Sequence, residues 1–204
     1  MKNKSKDTLD LISPAKALAL LKEGNQRFVK GKLNEKNFQQ QIQDSSEGQY
    51  PFAVVLGCVD SRVSPELVFD KGVGDIFSIR IAGNIVNEDI LGSMEFACNV
   101  VGSKHILVLG HTSCGAIQGA YDDVKLGNLT GLVEKIKPAV QVVRDASSGW
   151  MEIDIDQIAE ENVHQTIEQI KQNSPVLKEM FDNGKIGISG GMYDVSTGEV
   201  KFFD

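Results

Sequence analysis

The chain has 204 residues, of which 41% are hydrophobic and 24% charged, with a formal net charge of −7. This length fits a single domain, residues 1–204, and this apolar content can bury a substantial core. The negative charge disfavours nucleic acid and anionic membrane surfaces as partners. No apolar stretch approaches the roughly 20 residues of a membrane-spanning helix. The first ten residues lack the apolar region of a secretory signal, so a cytoplasmic protein is expected, or a periplasmic one if a signal was removed.

The first 50 residues predict an N-terminal helical arm. Ser13 offers an N-cap hydroxyl and Pro14 occupies the first helical position, so an amphipathic helix is expected from there to near Gly31. Residues 32–49 are polar and are expected to form a surface arm or loop.

Residues 51–204 have the pattern of an α/β core. Continuous apolar runs predict strands that are covered on both faces, at 52–58, 76–81 and 106–109. Residues 90–101 suit a helix, so the strands are expected to be parallel, with right-handed crossovers. Further helices are expected at 116–124, 130–144 and 155–172 and in a short segment ending at Phe181, followed by a hairpin of 185–194 and 199–203. The predicted fold class is α/β, with a mainly parallel central sheet flanked by helices, an N-terminal helical arm and a C-terminal hairpin.

Two short motifs place metal-binding side chains directly after predicted strands. Cys58 follows the first strand, and His111 and Cys114 follow the third. In an open parallel sheet ligands gather outside the carboxyl ends of the strands, so these side chains are expected to meet at one edge. Two thiolates and an imidazole suit zinc, and a fourth position left free for water is typical of a catalytic zinc site.

An ionisable pair, Asp60 and Arg62, follows Cys58 closely. Two thiolates neutralise the zinc dication, so a zinc-bound water needs further help to ionise. Arg62 can keep Asp60 ionised by charge pairing, and Asp60 can then accept a hydrogen bond from the zinc-bound water or hydroxide. A second interpretation stays open, in which Asp60 is itself the fourth zinc ligand of a resting form.

The remaining cysteine and histidines are expected to be structural. Three cysteines without a Cys-x-x-Cys pair predict neither a disulfide framework nor a redox pair, and free thiolates suit a reducing compartment. Cys98 lies within a predicted helix and is expected in the core, although a closed structural zinc site could use it as a fourth ligand. His105 and His164 are expected at the surface or as caps.

The two motifs together resemble the β-class carbonic anhydrases. The resemblance extends from residues 23–28 to the hairpin near Tyr193, and it departs from the family pattern at Ile81 and Gly83. It implies the reversible hydration of carbon dioxide to bicarbonate and a proton by a hydroxide on one zinc ion per chain, oriented by Asp60 and Arg62.

The resemblance also implies substrate-side residues and an assembly. Gln49 matches an amide that can hydrogen-bond the substrate, and Phe77 and Ala82 match positions that line a small apolar pocket. Val55 stands where a bicarbonate-inhibited subgroup carries tryptophan, which implies an open site whose aspartate lies on arginine rather than on zinc. The family fold implies a homodimer or homotetramer in which the N-terminal helix reaches across to the partner.

Two other functions remain open at this stage. Hydrolysis of carbon disulfide or carbonyl sulfide would use the same zinc chemistry with different access to the site. A non-catalytic bicarbonate sensor or scaffold would keep the fold and the zinc without turnover. The presence of Asp60, Arg62 and Gln49 beside the predicted ligands argues against the scaffold.

Overall fold

The computed structural model describes residues 5–147 and 153–203. Its first part contains the helices α1 (Lys6–Asp10), α2 (Pro14–Val29) and α3 (Phe38–Ser45). Helix α2 begins as predicted, because the Ser13 side chain accepts a hydrogen bond from the backbone N–H of Lys16. In the described part of the chain, no helix is both long enough and apolar enough to cross a membrane.

Helix α3 lies in the segment that was predicted to be an arm or loop. Asn37 caps it by accepting a hydrogen bond from the backbone N–H of Gln40. None of its residues is buried, and Phe38 and Ile42 are about half exposed. The segment is exposed, as expected of a surface arm, but its helix was not predicted, because two apolar residues four positions apart are too weak a periodic signal.

The sheet has the strands β1 (Ala53–Gly57), β2 (Ile76–Arg80), β3 (His105–His111), β4 (Gly187–Tyr193) and β5 (Val200–Phe203). Their spatial order is β2-β1-β3-β4-β5, and all neighbours are parallel except β4 and β5. The predicted α/β class with a mainly parallel sheet and a C-terminal hairpin is confirmed. Strands β2 and β3 do not pair with each other, because β1 lies between them.

The other helices connect these strands. They are α4 (Pro65–Val68), α5 (Glu88–Glu95), α6 (Gly115–Tyr121), α7 (Gly127–Glu134), α8 (Lys137–Ala146), α9 (Ile155–Asn173) and α10 (Pro175–Asp182), with a 3₁₀ turn at Ala82–Asn84 and a π-helical turn at Phe96–Val101. The single helix predicted for 130–144 is in fact two, since Pro138 lacks the N–H that a continuous helix would need and favours a helix start instead.

Both faces of β1 and β3 are covered, which explains their continuous apolar runs. The expectation of cover on both faces was wrong for the edge strand β2, where Ser78 and Arg80 are exposed. Along β1, Val54 and Leu56 pack in the cluster that includes residues of α5, α6, α8, α9 and α10. Ala53 and Val55 point to the other face and pack in the cluster that includes residues of α1, α2 and α4. The sheet is therefore the middle layer of the fold.

The two histidines outside the site motifs differ in their surroundings. His105 was expected at the surface or as a cap, but it is buried because β3 is a central strand, and its Nε2 lies 2.8 Å from the Ser189 hydroxyl. Burial lowers the pKa of His105 to about 4. His164 on α9 is exposed as expected, and its ring stacks on Phe203.

A buried carboxylate fastens the segment after α2 to the core. Asp70 accepts hydrogen bonds from Arg27 Nε at 2.5 Å, from Asn34 Nδ2 at 2.9 Å and from the ammonium of Lys36. Its side chain has no solvent exposure. Burial alone would raise the pKa of Asp70, but the hydrogen bonds from Lys36 and Arg27 outweigh it and lower the pKa.

We expect Asp70→Asn to lower the free energy of unfolding near neutral pH by about 3 kcal/mol, because Arg27 and Lys36 lose their counter-charge. The folded-state pKa of Asp70 is depressed. Its contribution is therefore complete above the unfolded pKa of about 4 and is lost as the pH falls through the folded value. Urea unfolding near pH 7 and near pH 3 should show the difference between the two proteins shrinking in acid.

The matched control is Asp182→Asn, which removes an exposed ion pair with Lys178. Exposed pairs contribute at most about 1 kcal/mol, so this control should unfold much like the parent protein. An Asp70→Asn effect as small as that of the control would show that the buried carboxylate does not hold the segment.

Candidate metal centre

Three predicted ligands meet at the carboxyl edge of the sheet. Cys58 directly follows β1, His111 ends β3, and Cys114 is the N-cap residue of α6. Because β1 and β3 are parallel neighbours, with Gly57 in register with Leu109, their ends lie side by side. The ligand atoms of the three residues all lie within 4.8 Å of one another, and all three residues are buried.

The geometry of His111 fits a metal ligand. Its Nδ1 lies 2.9 Å from the backbone carbonyl oxygen of Thr112, so Nδ1–H donates there and leaves Nε2 as the free acceptor. Within the described residues Nε2 is buried and has no hydrogen-bond partner. Orphaned buried nitrogens are rare, and a backbone carbonyl on the other ring nitrogen is the usual support of a metal-binding histidine. With two sulfur atoms beside it, this donor set fits zinc.

The two neighbouring thiols change each other's pKa in opposite directions. The hydrogen bond from Cys114 lowers the pKa of Cys58, and the resulting Cys58 thiolate raises the pKa of Cys114. The backbone N–H of Gly83 also donates to Cys58 Sγ, at 3.4 Å. Because both sulfurs must be thiolates to bind a metal, metal loading of this site would release protons and depend on pH.

A bidentate ion pair lies beside the cluster. Arg62 Nε is 2.9 Å from Asp60 Oδ1, and Arg62 Nη2 is 2.8 Å from Oδ2. The hydrogen bonds from Arg62 hold the pKa of Asp60 well below its usual range. Oδ2 lies 4.0 Å from His111 Nε2, so the carboxylate faces the nitrogen that is free to bind a metal. An ionised carboxylate only accepts hydrogen bonds, so Asp60 presents an acceptor to this space.

The carbonic anhydrase family model matches residues 53–200 of the chain. Carbonic anhydrase 2 of Mycobacterium tuberculosis is 35% identical over 201 residues, covering 94% of both proteins. The carbonic anhydrase of Mycolicibacterium smegmatis is 33% identical over 195 residues, covering 93% of both. The solved structure of the β-carbonic anhydrase CcaA has a TM-score of 0.76 at 29% identity, and the match covers 92% of this chain and 87% of that one.

The α/β fold of this chain carries a buried cysteine–histidine–cysteine cluster at the edge of its sheet. That donor set places the chain in the class of proteins with a zinc-type metal centre. With the comparisons above, the chain belongs to the β-class carbonic anhydrases, and it is a carbonic anhydrase enzyme.

The other predicted site residues lie at different distances from the cluster. Ala82 is half-buried and precedes Gly83, so it adjoins Cys58. Gln49 is exposed in the segment before β1. Phe77 lies on β2 in register with Val54, well before the strand end where the cluster lies. The substrate-side roles of Gln49, Phe77 and Ala82 therefore stay predictions.

Among the described residues, the cluster that could bind a metal does not include Cys98. This cysteine is buried in the core cluster on the face of the sheet that carries α5 and α9. Burial raises the pKa of its thiol to about 12, so it stays protonated. These surroundings fit the expected role as a small core residue.

Sequence reasoning missed the role of Arg80, which fixes the backbone of the first motif. Arg80 ends β2, and its Nε donates to the Cys58 carbonyl at 2.9 Å while its Nη2 donates to the Asp60 carbonyl at 2.6 Å. One side chain thus holds the backbone of both a predicted ligand and the predicted acceptor.

We expect Arg80→Met to lower the carbon dioxide hydration rate by roughly 10- to 100-fold, the range found when residues supporting a metal centre are lost. The variant keeps the ligands but frees the turn that carries Asp60. Stopped-flow assays on protein of known zinc content measure the effect. Arg144→Met serves as the control, because Arg144 is exposed and donates to the distant carbonyl of Tyr121. Equal rates for the two variants would contradict a positioning role.

Proposed function

We propose that this chain catalyses the reversible hydration of carbon dioxide to bicarbonate and a proton at one zinc ion held by Cys58, His111 and Cys114. The observation that supports this most strongly is the buried, unpartnered Nε2 of His111, which lies among two thiols and 4.0 Å from the Asp60 carboxylate. When bound there, zinc would supply a water acidic enough to act as a nucleophile near neutral pH.

Asp60 is placed to contact the attacking water, and Arg62 holds Asp60 in position. Asp60 would accept a hydrogen bond from that water and so direct a lone pair of the water oxygen toward the carbon of carbon dioxide. Arg62 keeps the carboxylate ionised, and its Nη2 also donates to the Ser113 carbonyl at 3.2 Å. This second bond ties the acceptor to the loop that carries His111 and Cys114.

We propose that the site works with Asp60 on Arg62 over the whole neutral range. The absence of tryptophan at Val55 and the bidentate pair support this. Hydration activity measured from about pH 7 to about pH 9 should therefore change gradually. An abrupt, cooperative loss of activity below about pH 8 would show that the aspartate moves onto the metal instead.

We also propose that the chain works in a reducing compartment such as the cytoplasm.

We further propose that it forms a homodimer or homotetramer. Strand β2 is an edge strand, and the apolar side chain of Phe96, which packs on its Phe77, is 49% exposed. Val100, in the same π-helical turn as Phe96, is 70% exposed. Phe77 packs on Phe96, so this predicted substrate-side residue lies on the same edge. One structural neighbour, from Sordaria macrospora, is described as tetrameric; it has a TM-score of 0.70 at 25% identity, covering 81% of this chain and 90% of that one. Sedimentation as a monomer at micromolar concentration would overturn the assembly.

The substrate is tested by stopped-flow assays with carbon dioxide, carbonyl sulfide and carbon disulfide on the same zinc-assayed preparation. Fast hydration of carbon dioxide with slow or no turnover of the sulfur compounds is expected. The reverse order would assign the chain to heterocumulene hydrolysis. Bound zinc with no turnover of any of them would indicate a sensor or scaffold.

A further inference from the structure

The turn Ala82–Asn84 contacts Cys58, the first of the predicted metal ligands. Gly83, in the Ala82–Asn84 turn, donates its backbone N–H to Cys58 Sγ at 3.4 Å. Its φ of +68° suits glycine, and a Cβ there would come within 2.6 Å of Ile136 Cδ1. A residue without a side chain is conformationally free, so another contact must fix the direction of this N–H.

That contact comes from helix α9. Asn162 is buried, 3% exposed, and its Nδ2 donates to the Gly83 carbonyl at 2.9 Å. One turn further along α9, the Thr166 hydroxyl donates to the Asn84 carbonyl at 3.4 Å. Of these two hydrogen bonds, only the one from Asn162 reaches Gly83, whose N–H contacts the sulfur of Cys58.

We propose that Asn162 is a positioning residue of the metal centre, which holds the Gly83 carbonyl so that the Gly83 N–H points at the sulfur of Cys58. A hydrogen bond to a metal-bound thiolate withdraws electron density from the sulfur and leaves the metal more electron-poor. The proposal rests on the proposed zinc site. A purely structural contact between α9 and the turn would stabilise the fold without altering the sulfur.

The test uses the cobalt(II)-substituted protein, whose thiolate-to-metal charge-transfer absorption reports on the sulfur directly. Asn162→Leu has a similar size but no donor, and it should shift this band to longer wavelength because a sulfur without a hydrogen bond gives up its electron more easily. Asn162→Ala, which leaves more room, should shift it in the same direction. Thr166→Val is the matched control, since it loosens the same turn without touching Gly83, and its band should stay where it is in the parent.

A band that is unchanged in a cobalt-loaded Asn162 variant, or equally shifted in Thr166→Val, would overturn the proposal. The parent protein loaded with ¹¹³Cd provides a measurement that does not depend on a variant folding. The Gly83 amide proton should show scalar coupling to cadmium through the sulfur, and its absence would also overturn the proposal. If the parent with cobalt has no thiolate charge-transfer band, the zinc site itself is wrong, and this inference falls with it.

Discussion

The His111→Ala variant is expected to lose bound zinc and carbon dioxide hydration together, with the rate falling to that of the buffer. The imidazole Nε2 is the nitrogen ligand that the three-residue cluster offers, and its loss leaves two thiols that hold a metal poorly. Metal analysis and stopped-flow hydration on the same preparation measure both effects.

Zinc binding should also stabilise the parent protein and not the variant. At a free zinc concentration 1,000-fold above the dissociation constant, a ligand specific to the folded state adds about 4 kcal/mol to the free energy of unfolding. His111→Ala should gain none of this in urea unfolding with and without zinc. Cys98→Ala is the matched control, since it removes a buried sulfur outside the cluster and should keep zinc and activity. Zinc lost from Cys98→Ala, or kept by His111→Ala, would point to a different ligand set.

Asp60→Asn is expected to keep its zinc and to lose about 100-fold in hydration rate, the scale on which misorienting a reacting group acts. The amide has the size of the carboxylate but no charge, so it loses its ion pair with Arg62 and the acceptor strength of its oxygen. Zinc content, the rate of hydration and its pH dependence are measured together.

The control for this variant is Asp122→Asn, at an exposed position where the carboxylate accepts only from Gln118 among the described contacts. It makes the same chemical change at the opposite end of α6 from Cys114 and should leave the rate unaltered. Full activity in zinc-loaded Asp60→Asn would show that another group orients the attacking water.

The sheet and the three-residue cluster could be predicted because their signals are local. A continuous apolar run reads as a strand that is buried on both faces, and the residue after such a strand, here Cys58, must lie at the carboxyl edge. The same reasoning placed His111 just after the third predicted strand, and it is in fact the last residue of β3. The metal-binding chemistry then followed from the residue types alone.

The supporting contacts could not be predicted, because they join residues far apart in the chain. Arg80 reaches the Cys58 carbonyl from the neighbouring strand, and Asn162 reaches Gly83 from a helix 79 positions away. Both residue types are ordinary at the surface of a strand or helix, so nothing in their local sequence marks them. Helix α3 was missed for a related reason, since none of its residues is buried and no apolar periodicity develops.

The most direct test of the account is a zinc titration of the metal-free protein, followed by stopped-flow carbon dioxide hydration with a pH indicator. The account predicts that the rate rises in proportion to bound zinc, stops rising at one zinc per chain and increases with pH. One zinc bound per chain with no hydration near pH 8.5 would contradict it.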